Sequence, residues 1–244
     1  MTAQSETIDY RCGDAVLRGC LSADPNASAP RPGVLVVHEW WGCNDYIRGR
    51  AEQLANCGYT ALAVDMYGDG QTAQTPEAAG KLMNAVLGDM ETGQARLRAA
   101  FDVLAARDDT DAARIAAIGY CFGGAVALHA ARVGLELAAA VSFHGALASF
   151  HTPAPGGVKA RVLVCHGGAD SLVPGADVDA FKAEMDAAGA DYRFVDYAGA
   201  QHGFTNPAAT ENGRKFNLPL AYDADADRQS WRDMAALLEE VFDK

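Results

Sequence analysis

The sequence predicts an α/β protein built on a mainly parallel, doubly wound sheet flanked by helices, and three observations carry that reading. Short apolar runs of strand length alternate with longer segments whose apolar residues recur at helical spacing. Most of the short runs are continuously apolar, which suits strands buried on both faces of a parallel sheet. The 244 residues show neither an internal repeat nor a low-complexity linker, so one domain spanning residues 1–244 is expected.

Taken in order, the strand candidates are residues 16–21, 33–38, 60–64, 114–118, 138–143, 161–166 and 192–197. The helix candidates are residues 45–57, 76–87, 91–107, 122–133, 176–188 and 228–242. Two stretches read as loops: residues 145–160, with Pro153, Pro155, Gly156 and Gly157, and residues 203–221, rich in Asn, Thr, Gly and Pro. In open parallel sheets ligands bind beyond the carboxyl ends of the strands, so the chemistry is sought there.

Composition narrows the function before any motif does. Half the residues are apolar and 21% are charged, which excludes disordered and collagen-like chains. The formal charge of −12 and the lack of a basic cluster argue against nucleic acid or an anionic membrane as partner. The first ten residues hold neither a positive stretch nor an apolar one, so no secretory signal is expected. Cys12, Cys20, Cys43, Cys57, Cys121 and Cys165 form no C-x-x-C pair, which fits a reducing, cytoplasmic setting and neither a disulfide framework nor a zinc site.

The strand at 114–118 runs into Gly119-Tyr120-Cys121-Phe122-Gly123-Gly124 and then a small-residue helix. This is the setting of a nucleophile elbow, G-x-Nuc-x-G, whose glycines permit a turn too tight for side chains. A cysteine there projects at a helix N-terminus, where the dipole favours a thiolate. The other reading of Cys121 is a buried structural thiol beside helix-packing glycines. Context favours the first. Asp170 follows the strand at 161–166 in His166-Gly167-Gly168-Ala169-Asp170, and His202 follows the next strand in a loop. Cys121, Asp170 and His202 thus appear in the order nucleophile, acid, histidine, with His202 as base and acid and Asp170 as its orienter.

Of the other histidines, His129 inside a helix reads as packing or surface and His151 as solvated. His144 and His166, at strand ends, read as hydrogen-bonded structural residues near the site. His38 precedes Glu39, a carboxylate followed by Trp40 and Trp41 at another strand end. A Glu against aromatic surface is desolvated and suited to proton traffic, although an ion-pair or loop-capping role is the alternative. The backbone N–H groups of Trp40 and Phe122 occupy the two places where an oxyanion hole is expected, while the two indole rings read as core or rim packing.

At these residues the sequence resembles the dienelactone hydrolase family of the α/β-hydrolase superfamily. The pieces that carry the resemblance are Val37-His38-Glu39-Trp40-Trp41-Gly42, Asp65-Met66-Tyr67-Gly68, Ile118 to Gly124, His166 to Asp170, His202-Gly203-Phe204 and the segment from Ala221-Tyr222-Asp223 to Ser230-Trp231. The resemblance implies the α/β-hydrolase fold and a Cys121–His202–Asp170 triad, with Glu39 taking the thiol proton when substrate arrives. Trp41, Tyr67, Tyr120, Phe204 and Asn206, within or beside these motifs, and His144, at a strand end, are the candidates to line the substrate pocket. One departure matters. The founding members carry two arginines for the substrate carboxylate, and here the first position is Asn206 while residues 68–86 hold Lys81 and no Arg.

The expected function is therefore hydrolysis of lactones or of activated enol, aryl or thio esters of small molecules. No phosphate loop, dinucleotide fingerprint or metal-ligand spacing appears, so no cofactor or metal is implied. A noncatalytic small-molecule binding protein on a hydrolase scaffold is one alternative. A thiol redox enzyme using Cys121, with Cys165 as resolving thiol, is the other. The substrate is expected to be the main partner of a monomer or small homo-oligomer.

Overall fold

The computed structural model describes residues 3–242, and among them lie eight strands and seven helices in an α/β-hydrolase-type arrangement. The chain divides into two compact units, Met1–Ile118 and Gly119–Lys244.

In the first unit, β1 (Gln4–Cys12) and β2 (Ala15–Ala23) form an antiparallel ribbon joined by Gly13 at φ 57°. β2 runs antiparallel to β4 (Thr60–Val64), which pairs in parallel with β3 (Arg31–Val37), placing Val37 beside Val64. All five residues of β4 are buried, as a strand covered on both faces requires. Between β3 and β4 runs α1 (Asp45–Asn56), which packs on β2, β3 and β4 and begins where the Asn44 side chain accepts the Ile47 N–H. α2 (Pro76–Leu87) starts at Thr75 and α3 (Met90–Ala105) at Asp89, whose Oδ1 accepts the Thr92 N–H at 3.0 Å. Most of β5 (Thr110–Tyr120) belongs to this unit and its last two residues to the next.

In the second unit the parallel strands β6 (Ala139–Phe143), β7 (Arg161–Gly167) and β8 (Tyr192–Tyr197) lie side by side in that order. α4 (Phe122–Arg132), buried along its whole length, packs on β6. α5 (Gly175–Ala188) sets Phe181 edge-on to Tyr192 of β8, and α7 (Ala224–Phe242) packs on β6 and β7. α6 (Ala209–Phe216) falls inside the stretch expected to be loop. The expected loop at residues 145–160 holds neither helix nor strand.

The order of the predicted elements survives, with two additions. β1 was not expected, and its burial explains why: it is an exposed strand in which only Tyr10 is buried. α6 forms inside residues 203–221, whose Asn, Thr, Gly and Pro content predicts loop. Among the described residues no helix is long and apolar enough to cross a membrane.

Candidate active site

The glycines around Cys121 leave no room for alternatives. A Cβ on Gly119 would lie 1.9 Å from the Gly123 carbonyl oxygen, and one on Gly124 would lie 2.5 Å from Ser142 Oγ. Strand end and helix start therefore touch backbone to backbone. The turn this forces puts Cys121 at φ 55°, ψ −115°, a conformation that favours glycine and strains any L side chain. The strained residue is held from both sides: its N–H donates to the Phe143 carbonyl at 2.9 Å, and its own carbonyl accepts the Gly124 N–H at 3.0 Å. Cys121 itself is half-buried.

His202 lies in the turn after β8, bridged to Leu220, with its carbonyl accepting the Ala221 N–H at 3.2 Å. Its Nδ1 sits 2.8 Å from Asp170 Oδ2, and the Cys121 side chain acts on the charge of its ring. Asp170 follows β7, and its second oxygen accepts the Leu172 N–H at 2.9 Å. Burial on its own would pull the imidazolium of His202 down. The Cys121 sulfur and the Asp170 carboxylate outweigh it, and the ring is raised to about 10. Imidazole and carboxylate are thus hydrogen-bonded within the second unit, and the Cys121 sulfur acts on the charge of the imidazole.

Around this chain, His144 follows β6 at φ 42°, with its Nε2 2.7 Å from Thr205 Oγ1 and its ring 5.2 Å from that of His202. Tyr120 stacks on Phe143 at 4.7 Å, and Phe204 packs between His144 and Tyr197; both side chains are wholly buried. Asn206 accepts the Ala208 N–H through Oδ1 at 2.9 Å, so its side chain shapes the approach to α6. Cys165 is buried, and that burial pushes its thiol up to about 12 although the Tyr197 hydroxyl donates to it. Such a thiol is a poor attacking group.

In the first unit Glu39 is buried directly after β3. His38 beside it is also buried, which lowers its pKa to about 4 and keeps it neutral. Its Nε2 accepts the Met66 N–H at 3.2 Å, so Nδ1 carries the proton and donates to the Glu39 carbonyl at 2.5 Å. Asp65 accepts backbone N–H groups from Arg18, Tyr67, Gly68 and Gly70, and so builds the turn that presents Met66 and Tyr67. The Tyr67 hydroxyl donates to the Trp40 carbonyl at 2.9 Å, and Gly42 bridges Thr72. Trp41 is buried and Trp40 half-buried, their rings 4.9 Å apart.

The model of the dienelactone hydrolase family matches residues 17–242. The chain belongs to the dienelactone hydrolase family. This family member is 31% identical over 178 residues to the carboxymethylenebutenolidase of Pseudomonas putida, covering 70% of this chain and 73% of that one. Among solved structures it is similar to a dienelactone hydrolase-like promiscuous phosphotriesterase from metagenomic libraries, with 36% identity, a TM-score of 0.90 and 99% of each chain covered. A putative dienelactone hydrolase from Klebsiella pneumoniae follows at 25% identity and a TM-score of 0.80, covering 98% of this chain and 99% of that one. This dienelactone hydrolase family member is a lactone or ester hydrolase.

Three contributors to the site escaped the sequence reading: the Leu172 N–H on Asp170, the Thr205 hydroxyl on His144, and the Leu220 bridge to His202. No local signal marks them, because each is a backbone group or a small side chain recruited by tertiary contact.

Proposed function

We propose that this hydrolase cleaves lactones and activated enol, aryl or thio esters of small molecules through Cys121 as nucleophile, His202 as acid and base, and Asp170 as orienter. One observation carries the reading: the residue strained at the elbow acts on the charge of His202, whose Nδ1 lies 2.8 Å from Asp170. The same reading takes residues 1–244 as one hydrolase domain, with the backbone N–H groups of Trp40 and Phe122 stabilising the oxyanion. On the family resemblance Glu39 takes the thiol proton as substrate arrives, leaving the thiolate that supports the His202 imidazolium, and returns it to the sulfur once the acid has left. The roles of Glu39 and Trp40 rest on the family resemblance. Trp41, Tyr67, Tyr120, His144, Phe204 and Asn206 are the residues proposed to shape the pocket.

The raised affinity of His202 for its proton suits the first half of the reaction and would obstruct the second, and the chemistry removes the obstacle. The sulfur adds to the carbonyl, the tetrahedral oxyanion collapses, and His202 gives its proton to the departing oxygen or sulfur. Once acylated, Cys121 is a neutral thioester and no longer supports the imidazolium. The pKa of His202 then falls, and the neutral ring takes a proton from the attacking water. A second collapse expels the Cys121 sulfur and releases the acid.

The experiment is a hydrolysis screen of enol-lactones, p-nitrophenyl esters and thioesters on wild-type and Cys121→Ala proteins, with intact mass read during turnover. An aryl phosphotriester belongs in the screen because a relative is described as a phosphotriesterase. Turnover with an acyl adduct that disappears in Cys121→Ala is the expected result. Turnover unchanged in Cys121→Ala would overturn the assignment.

A further inference from the structure

His144 lies outside the proposed triad, yet its surroundings tie it to both ends of it. The residue is buried, and its φ of 42° is costly for any side chain, although histidine is among the residues found there more often. Its backbone is fixed, because its N–H donates to the Cys165 carbonyl at 2.9 Å. One residue earlier, the Phe143 carbonyl takes the N–H of Cys121 at 2.9 Å. The imidazole reaches the opposite way, its Nε2 2.7 Å from Thr205 Oγ1 and its ring edge-on to His202 with centroids 5.2 Å apart.

Thr205 is itself wholly buried and stands three residues beyond His202. The Asn206 N–H donates to the Gly203 carbonyl at 2.9 Å, and the Asp223 N–H to the Phe204 carbonyl at 3.0 Å, so residues 202–206 form a closed turn. Two consecutive residues after and at the end of β6 thus hold the elbow through a carbonyl and the histidine turn through an imidazole.

We infer that His144 is a positioning residue which sets the separation of Cys121 and His202 by tying the His202 turn, through Thr205, to the strand end that holds the elbow. The inference rests on the proposed triad. Without the tie the turn keeps its fold through Leu220 and Asp223, but His202 loses its fixed distance to the sulfur.

The test uses His144→Phe, which keeps an aromatic ring without the hydrogen bond, Thr205→Val, which is nearly isosteric, and the double variant. Each is measured for kcat and KM on a p-nitrophenyl ester and for the pH profile of Cys121 alkylation by iodoacetamide. A small displacement of a catalytic group costs about ten- to a hundredfold. Each single variant is therefore expected to lose kcat by about that factor and to shift the alkylation profile, and Thr205→Val, outside the proposed pocket lining, to keep KM. The double variant should lose no more than the worse single, since both remove one link. His144→Gln, which retains a polar end at similar reach, should recover part of the loss.

Folded single variants with the wild-type kcat and alkylation profile would overturn the inference, and so would losses that add in the double variant. Should His144→Phe fail to fold, Thr205→Val and the alkylation profile decide alone. A wild-type protein that forms no acyl adduct would sink the Cys121 nucleophile instead, and the alkylation profile would still judge the tie.

Discussion

Asp170 divides its carboxylate between two partners: Oδ2 lies 2.8 Å from His202 Nδ1, and Oδ1 takes the Leu172 N–H at 2.9 Å. The second bond fixes the carboxylate before the histidine arrives, so charge and orientation are separable. Asp170→Asn should keep the shape and lose the charge that stabilises the imidazolium. Loss of that charge from a triad costs up to about 10⁴ in rate. Steady-state kinetics on an aryl ester should show kcat reduced by at least about 10² with the melting temperature little changed. A smaller loss would mean that the carboxylate acts only on structure.

The His202 proton links activity to stability. Its folded-state pKa is raised to about 10 from an ordinary 6.5. The group therefore contributes stability in full below about pH 6.5, where folded and unfolded chains both hold the proton. The contribution is lost as the pH rises through about 10. Urea midpoints of wild type and His202→Gln, compared at pH 6 and pH 10, should differ more at pH 6. A gap that stays constant across the range would show that the ring carries no such proton.

Strain at the elbow makes a different stability prediction. Cys121 at φ 55°, ψ −115° occupies a region natural to glycine, so Cys121→Gly should be more stable than Cys121→Ala by about 1 kcal/mol. For a chain of this size that is a difference of about 2–4 °C in melting temperature. Both variants should be inactive. Gly119→Ala places a methyl against the Gly123 carbonyl and should instead destabilise by about 1–3 kcal/mol or more, with loss of activity.

Much of this arrangement was readable from local pattern, and the exceptions have physical causes. β4, α2 and β8 coincide with residues 60–64, 76–87 and 192–197, marked by an apolar run in β4, helical spacing in α2 and an aromatic-rich stretch in β8. β1 escaped because its sequence, Gln-Ser-Glu-Thr-Ile-Asp-Tyr-Arg-Cys, buries one residue and is held by its nine-residue register with β2. α6 escaped because Asn212 and Gly213 are poor helix formers. Gly213 is needed there, since a Cβ would lie 2.4 Å from the Leu220 carbonyl oxygen of the segment that bridges His202. β5 begins at Thr110, four residues before the apolar run that marked it. At the site, Cys121, Asp170 and His202 announce themselves by residue type and order. Thr205 and Leu172 do not, because a threonine hydroxyl and a backbone amide look alike everywhere in a sequence.

Ser142 offers a test of packing behind the elbow. Its hydroxyl is fully buried and makes no hydrogen bond to the described residues, while the backbones of Gly124 and Gly145 crowd it. A buried hydroxyl without a partner costs about 1–3 kcal/mol. Ser142→Ala should therefore be neutral or raise the melting temperature by a few degrees, about 2–4 °C for each kcal/mol gained. Ser142→Thr adds a methyl where none fits and should destabilise. A Ser142→Ala protein that melts well below wild type would mean that the hydroxyl has a partner after all.

The choice of sulfur predicts the substrate's leaving group. A tetrahedral intermediate on Cys121 can expel the thiolate or the substrate's own oxygen, and the better leaving group departs first. A cysteine thiol, with an ordinary pKa near 8.5, leaves far more readily than an alkoxide, so addition to an ethyl ester mostly reverts. A phenolate, an enolate or a thiolate competes on even terms, and release of an enolate from a ring is made irreversible by its conversion to a ketone. Rates on matched phenyl and ethyl esters of one acid should therefore differ by at least about 10², since each pKa unit is worth 1.36 kcal/mol between protonation states. Cys121→Ser should narrow that ratio while lowering the absolute rate, because a hydroxyl depends more on proton removal by His202. Equal rates on the phenyl and ethyl esters in the wild type would show that expulsion of the Cys121 sulfur does not compete with departure of the substrate's own oxygen.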